Sequence, residues 1–225
     1  MLMLKYKYFA QPINNLVTNQ TILYELLLRQ WDEEQRCWQI PATFELTPAE
    51  LIQLLDCAIK ELNNHHVSIN LTARQFANPA FQVAISRYVH AHLLPRELTV
   101  ELVATPALSD LRQLSVGYRA AGVLLAFDDV GSDNLFQQIK WMLPYVNTVK
   151  FALQNMRPLG TATTDTIVAT LKFWFDKAEE QQMLFTFEGI ESAADVQLAN
   201  HLGITRGQGY YFSKPQLPVT FMQQR

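Results

Sequence analysis

Short apolar runs alternate with longer amphipathic stretches along the whole chain, with no low-complexity segment and no Gly/Ser linker. This is the pattern of an α/β fold. The first two apolar runs, Lys5–Gln11 and Ile22–Arg29, are separated by Pro12–Thr21, rich in Asn and Thr. Parallel neighbours need a crossover longer than this connector provides, so the pair is predicted antiparallel. A helix is predicted over Thr47–Asn63, with Thr47 as N-cap, Pro48 at the first position and Glu50 completing a capping box. Leu51, Leu54, Leu55, Ala58 and Leu62 recur there at helical spacing. Strand and helix then take turns: strand Val67–Leu71, helix Pro79–His92, strand Leu98–Leu102, helix Ser109–Ala121, strand Val123–Asp128 and a shorter helix Leu135–Leu143. Strand Asn147–Phe151, helix Thr164–Gln182, strand Leu184–Glu188, helix Ala193–Leu202 and strand Gly207–Phe212 follow. Eight such strands predict an α/β, TIM-like (β/α)8 barrel with an antiparallel first strand. The alternative is an open doubly wound sheet, whose glycine fingerprint is absent.

The strand ends carry the chemistry. Asn70, Glu101, Asp128, Lys150 and Glu188 each fall at or near the C-terminal end of a short apolar strand, the rim on which barrels build active sites. Side chains two apart share a face, so Ser68 lies with Asn70, Thr99 with Glu101, Ala126 with Asp128, Thr148 with Lys150 and Thr186 with Glu188. Ile69, Val100, Phe127, Val149 and Phe187 alternate with them and face the helices. Glu25 and Arg29 share a face of the second strand. One acid at a strand end is ordinarily a helix cap or a solvated rim residue, but five strands repeating the arrangement form a set.

At 225 residues and 49% hydrophobic, the chain has enough apolar surface for one large core, and a single domain over 1–225 is expected. A net charge of −3 argues against a broad basic surface for duplex nucleic acid. Cys37 and Cys57 form no CxxC and no disulfide scaffold, and are expected as reduced thiols. Lys5 and Lys7 interrupt the apolar start before a signal core forms, and no apolar run reaches membrane-helix length. A cytoplasmic protein without a membrane segment is expected. His65 and His66 are expected at the surface, and Gln30–Ile40 as a solvated loop.

The rim set is rich in oxygen donors and holds no thiol or imidazole. Hard oxygen ligands select Mg²⁺ or Mn²⁺ over zinc. The adjacent Asp128 and Asp129 suit two ions a few Å apart, a means of in-line attack on phosphodiesters. Arg29 suits a phosphate oxygen pair. Lys150 would orient a water or neutralise developing charge, unless it is simply paired with one of the acids.

In order and at these separations, the motifs resemble the EAL domain family, the cyclic di-GMP phosphodiesterase fold, from Tyr8 to Pro215. They are YFAQPI at Tyr8–Ile13, YELLLR at Tyr24–Arg29 in place of EALLR, INLTARQF at Ile69–Phe76 and VEL at Val100–Leu102. FDDVG at Phe127–Gly131, VK at Val149–Lys150, FEGIE at Phe187–Glu191 and GQGYYFSKP at Gly207–Pro215 complete the series. The resemblance implies two divalent ions held by Glu25, Asn70, Glu101, Asp128 and Asp129, with Glu188 in metal binding or base chemistry. It implies that Lys150 and Gln208 serve the catalytic water, Arg29 a substrate phosphate, and Glu191 a supporting role. The implied reaction is hydrolysis of cyclic di-GMP to linear pGpG, with expulsion of a ribose 3′ oxygen. Family members also dimerise near the loop after the Asp pair, which points to Leu135–Leu143 for a homodimer.

The pattern departs from the family at four places. Ala104 stands where the second Glu of E-x-T-E is usual, and that Glu braces the loop after the Asp pair. The loop, usually DDFGTGYSS, reads DDVGSDNLF over Asp128–Phe136. Lys150-Phe151-Ala152 replaces K-x-D, removing a carboxylate near the metals. Leu26 replaces the signature Ala, a conservative change in a strand. Asp133 is a new loop carboxylate and the expected compensation. Two functions follow: a metal-dependent phosphodiesterase of reduced activity, or a catalytically inactive module that binds cyclic di-GMP or a protein partner.

Overall fold

The structure, a computed structural model, describes residues 5–63, 66–158 and 160–222. His65 lies outside them, and His66 is exposed as expected. The strands are β1 (Tyr6–Asn15), β2 (Thr21–Asp32), β3 (Cys37–Gln39), β4 (Val67–Leu71), β5 (Leu98–Leu102), β6 (Leu124–Phe127), β7 (Thr148–Ala152), β8 (Leu184–Glu188) and β9 (Arg206–Gly207). The helices are α1 (Pro48–Glu61), α2 (Ala73–Ala77), α3 (Pro79–His92), α4 (Leu108–Ala120), α5 (Phe136–Ile139), α6 (Asp165–Glu180), α7 (Ala193–Leu202) and α8 (Pro218–Met222).

The ladder runs β1-β9-β8-β7-β6-β5-β4-β2, and a β1–β2 pairing closes it into an eight-stranded barrel. β1 is antiparallel to both β2 and β9, and the remaining ring contacts are parallel. The predicted barrel with an antiparallel first strand is the fold found.

β1 continues through Pro12 to Asn15, beyond the predicted end. Pro12 lies opposite Tyr24. Tyr24 N–H donates to His66 O, away from β1, so this is a position at which the β1–β2 ladder asks no N–H of β1. The predicted loop Gln30–Ile40 is instead a hairpin. β3 pairs with the end of β2, and the Trp31 and Trp38 rings pack with centroids 5.4 Å apart. Asp32 Oδ1 accepts from the backbone of Glu34 and Gln35 at 2.8 Å, which closes the turn. The charges that made the segment read as solvated are that turn.

The predicted last strand, Gly207–Phe212, is cut to two residues, Arg206–Gly207. Gly209 packs so closely on Ile190 that a Cβ there would lie 2.0 Å from Ile190 O, and the chain turns away. The helix predicted over Leu135–Leu143 is one turn, followed by a 3₁₀ turn at Leu143–Tyr145 containing Pro144. The capping box of α1 forms as predicted. Ile69, Val100, Phe127, Val149 and Phe187 are buried in one core between barrel and helices. Ser68, Thr99, Ala126, Thr148 and Thr186 are buried within the barrel. Cys37 and Cys57 are free and exposed. No helix among the described residues is long and apolar enough to cross a membrane.

Truncation of Leu55, fully buried on α1, to Ala is expected to lower the unfolding free energy by about 2–5 kcal/mol. Exposed Val116 on α4 is expected to tolerate Ala within about 0.5 kcal/mol. Urea denaturation of the two variants checks the contrast.

Candidate active site

The rim residues converge on one ammonium. Lys150, carried on β7, places Nζ 2.6 Å from Glu101 Oε2, 2.6 Å from Glu188 Oε1, 3.4 Å from Glu25 Oε2 and 3.6 Å from Asp128 Oδ1. The bland reading of Lys150, an ion pair with an acid, is therefore true four times over. Asn70 Nδ2 donates to Glu25 Oε1 at 2.8 Å, and Gln208 Nε2 to Glu25 Oε2 at 2.9 Å. β2, β4, β5, β7 and β8 each contribute one of these polar side chains, and Asp128 and Gln208 follow β6 and β9 directly.

One positive charge among four buried carboxylates leaves an excess of negative charge. Burial first, then repulsion from Glu25 and Asp128, overcomes the pull of Lys150 and pushes Glu101 up to about 8. Burial raises Asp128, and raises Glu188 well above the carboxylate range. Burial, Asp128 and Asp133 push Asp129 up to about 6. Glu25 goes the other way. Burial would raise it, but Lys150 and the Asn70 and Gln208 hydrogen bonds together hold it below the ordinary value. Burial would lower Lys150, and its carboxylate neighbours raise it well above the usual lysine value.

A model of the EAL domain matches residues 5–215. The chain belongs to the EAL domain family. It is 24% identical over 234 residues to a probable cyclic di-GMP phosphodiesterase, PdeD, of Escherichia coli (strain K12), which covers 94% of this chain and 42% of that protein. The chain thus spans about two fifths of that relative's length. Among solved structures, an EAL domain protein from Listeria monocytogenes EGD-e is similar with a TM-score of 0.79 and 22% identity, over 98% of this chain and 92% of that one. The FimX EAL domain from Pseudomonas aeruginosa, bound to c-di-GMP, is similar with a TM-score of 0.74 and 23% identity, over 95% and 91% of the two chains. At those identities the likeness to the two structures is one of fold.

In this EAL domain the expected ligand set divides in two. Asp128, Asp129 and Glu188 bring carboxylate oxygens within 4.8 Å of one another. Glu25 and Glu101 lie on Lys150, which Glu188 and Asp128 also reach, and Asn70 is bonded to Glu25. A hard divalent cation fits this centre on two observations. Asn70 Oδ1 and Gln208 Oε1 are buried oxygens with no hydrogen-bond partner. Glu188 is ion-paired to Lys150 through Oε1 at 2.6 Å and still brings a carboxylate oxygen within 4.8 Å of oxygens of Asp128 and Asp129. An oxygen-only donor set with surplus negative charge suits Mg²⁺ or Mn²⁺.

Arg29 is half-buried beside the cluster, its guanidinium donating to Leu28 O at 2.9 Å and lying 5.9 Å from the Phe9 ring centroid. Glu191 lines the same cavity as Glu188 and Asp129 and accepts from Gly160 N at 3.0 Å. Beside it the buried Arg157–Asp195 pair, at 2.7 Å, joins the segment before α6 to the start of α7. Asp133 is exposed, its carboxylate repels Asp129 and its backbone N–H donates to Asp129 O at 3.2 Å. Its neighbour Asn134 holds the loop instead: Nδ2 donates to Asp128 O at 2.6 Å, and Thr105 Oγ1 donates to Asn134 Oδ1. Asn155 Nδ2 donates to Asp129 Oδ1 at 2.8 Å. Gln11 Oε1 accepts from Gln208 at 3.3 Å. Sequence reasoning assigned no role to Asn134, Asn155, Thr105 or Gln11. Gln11 and the loop asparagine lay inside quoted motifs, which was the available signal.

The raised acids set a pH dependence. Glu101 keeps its proton in the fold above 4.5, where the unfolded chain has lost it. The unfolded state then binds fewer protons, so stability falls as pH rises. The contribution is whole below about 4.5 and gone above about 8. Asp128, Asp129 and Glu188 act in the same sense. In chelator, the thermal midpoint is expected to fall between about pH 5 and pH 8, and calorimetry at fixed ionic strength checks the direction.

Proposed function

We propose that this EAL domain is a metal-dependent phosphodiesterase that opens cyclic di-GMP to linear pGpG. The observation that carries the reading is a pair of cavities meeting at the acid cluster. One, of about 370 Å³, is lined by Gln208, Glu188, Asp129 and Tyr210. The other, of about 360 Å³, is lined by Arg29, Phe44, Leu46 and Asn70. Both include Glu25, Leu27 and Asp128. Two base-sized spaces on either side of one phosphate-processing centre suit a dinucleotide.

In this reading Asp128, Asp129 and Glu188 hold one Mg²⁺ or Mn²⁺, and Glu25, Asn70 and Glu101 supply donors for a second. The ions, when bound, supply Lewis-acid charge at the phosphoryl oxygens. Arg29 turns from Leu28 O to grip a phosphate oxygen. Gln208, braced by Gln11, orients the attacking water. Attack of the water on phosphorus forms the new P–O bond and breaks the P–O3′ bond, and the proton lost by the water reaches the departing 3′ oxygen through solvent. Lys150 stays charged and offsets the charge that builds on the phosphorane oxygens. Glu191 supports the segment around Gly160.

Leu135 and Trp141 are exposed apolar side chains in the segment expected at the dimer face, which supports a second copy meeting there. Binding of cyclic di-GMP without turnover is the second reading. It is favoured by Ala152, which puts a methyl group beside Glu188 on the neighbouring strand.

Purified protein in Mn²⁺ or Mg²⁺ is expected to convert cyclic di-GMP to pGpG, resolved by chromatography, with Glu25→Ala reducing the rate by about 10–100-fold. Retention of nucleotide without product would establish the second reading. Absence of both binding and product would sink the assignment.

A further inference from the structure

The loop after β6 has to present two adjacent carboxylates from a backbone in an unfavourable region. Asp129 has φ +52°, a left-handed conformation that only Gly, Asn and Asp adopt readily. Something must hold it there, and backbone bonds do part of the task. Val130 N donates to Lys150 O at 3.0 Å, and Asn134 N to Asp129 O at 3.2 Å.

Two asparagine side chains complete the grip from opposite sides. Asn134, only 2% exposed, uses both ends of its amide. It donates to the Asp128 carbonyl at 2.6 Å and accepts from the Thr105 hydroxyl. That ties the end of β6 to the segment leaving β5, the strand of Glu101. Asn155, in the 3₁₀ turn after β7, donates to Asp129 Oδ1 at 2.8 Å and to Ser132 Oγ at 3.3 Å. That ties the same loop to the strand of Lys150. The Asp pair is thereby fixed against both neighbouring strands, and one oxygen of Asp129 is committed to an amide donor.

We propose that Asn134 and Asn155 are positioning residues, a neutral amide brace that aims Asp128 and Asp129 at a divalent cation. The inference rests on the metal-dependent reading above. The chemistry favours amides here. A carboxylate in either place would add to the surplus negative charge and repel the group it has to hold. An amide donates to it without changing the charge of the centre. Orientation of ligands by such partners typically carries 10–100-fold in metal affinity.

The test uses Asn134→Ala and Asn155→Ala in the full chain, read two ways. Hydrogen exchange of the metal-free proteins is expected to speed up several-fold across 128–136, with the rest of the barrel unchanged. Calorimetric titration with Mn²⁺ is expected to show affinity weakened by about 10-fold or more. Asn155 is exposed, so its variant keeps the fold even if loss of the buried Asn134 amide does not. Unchanged exchange in 128–136 would overturn the brace. Faster exchange with undiminished Mn²⁺ affinity would overturn the positioning role. Wild-type protein that takes up neither Mn²⁺ nor Mg²⁺ would remove the metal-dependent reading, and the positioning role with it, a result distinct from the other two.

Discussion

Lys150 Nζ lies within 3.6 Å of carboxylates from β2, β5, the end of β6 and β8. Buried like charges at this range are tolerable only around an opposite charge, and even then incompletely. The rest of the barrel interior is arranged around that fact. Ser68, Thr99, Ala126, Thr148 and Thr186 are small or hydroxylated, leaving room for the long side chains one pleat above them. Their apolar neighbours face outward and bury against the helices. A one-residue slip of β7 would turn Lys150 into the apolar layer and Val149 into the acids, so the hub also fixes strand register.

That alternation is why so much of the centre was legible before any coordinates. A period of two places a side chain on the inner or outer face without knowledge of tertiary structure, and strand-end position places it on the rim. Asn70, Glu101, Asp128, Lys150 and Glu188 follow from those two rules, whereas Glu25, in the middle of β2, came from the family resemblance. The elements that escaped, or whose length was misjudged, are short or depend on contacts distant in sequence. α2 is five residues, set by the Thr72–Gln75 capping box. β9 is two residues and exists because Gly207 pairs with Phe187 and Asn14. The β2–β3 hairpin owes its stability to a tryptophan pair seven residues apart, surrounded by charges that resemble a solvated loop.

The loop after the Asp pair shows a sharper limit. Ala104 and Ala152 are visible in the chain as carboxylates lost, and the expectation drawn from them was repair by another carboxylate, Asp133. The structure rebuilds the loop with uncharged groups. Thr105 is adjacent to Ala104 and Asn155 is three residues beyond Ala152, but the partners they reach are 29 and 26 residues away. Loss of charge is a property of a position and can be read from the chain. Hydrogen-bond repair is a property of a pair, and a single sequence holds no record of which pairs meet.

The antiparallel β1 has a consequence for how the domain could be wired into larger assemblies. In an all-parallel barrel the first strand enters at the face opposite the site. Here Tyr6 pairs with Gln30, several residues past Glu25 on β2, so the chain descends into the barrel from above the mouth. A module or tag joined ahead of β1 would be delivered to the threshold of the two cavities, with no linker needed to span the barrel. A fusion at that end thereby brings its bulk near the centre, on the face of the barrel that carries the acids.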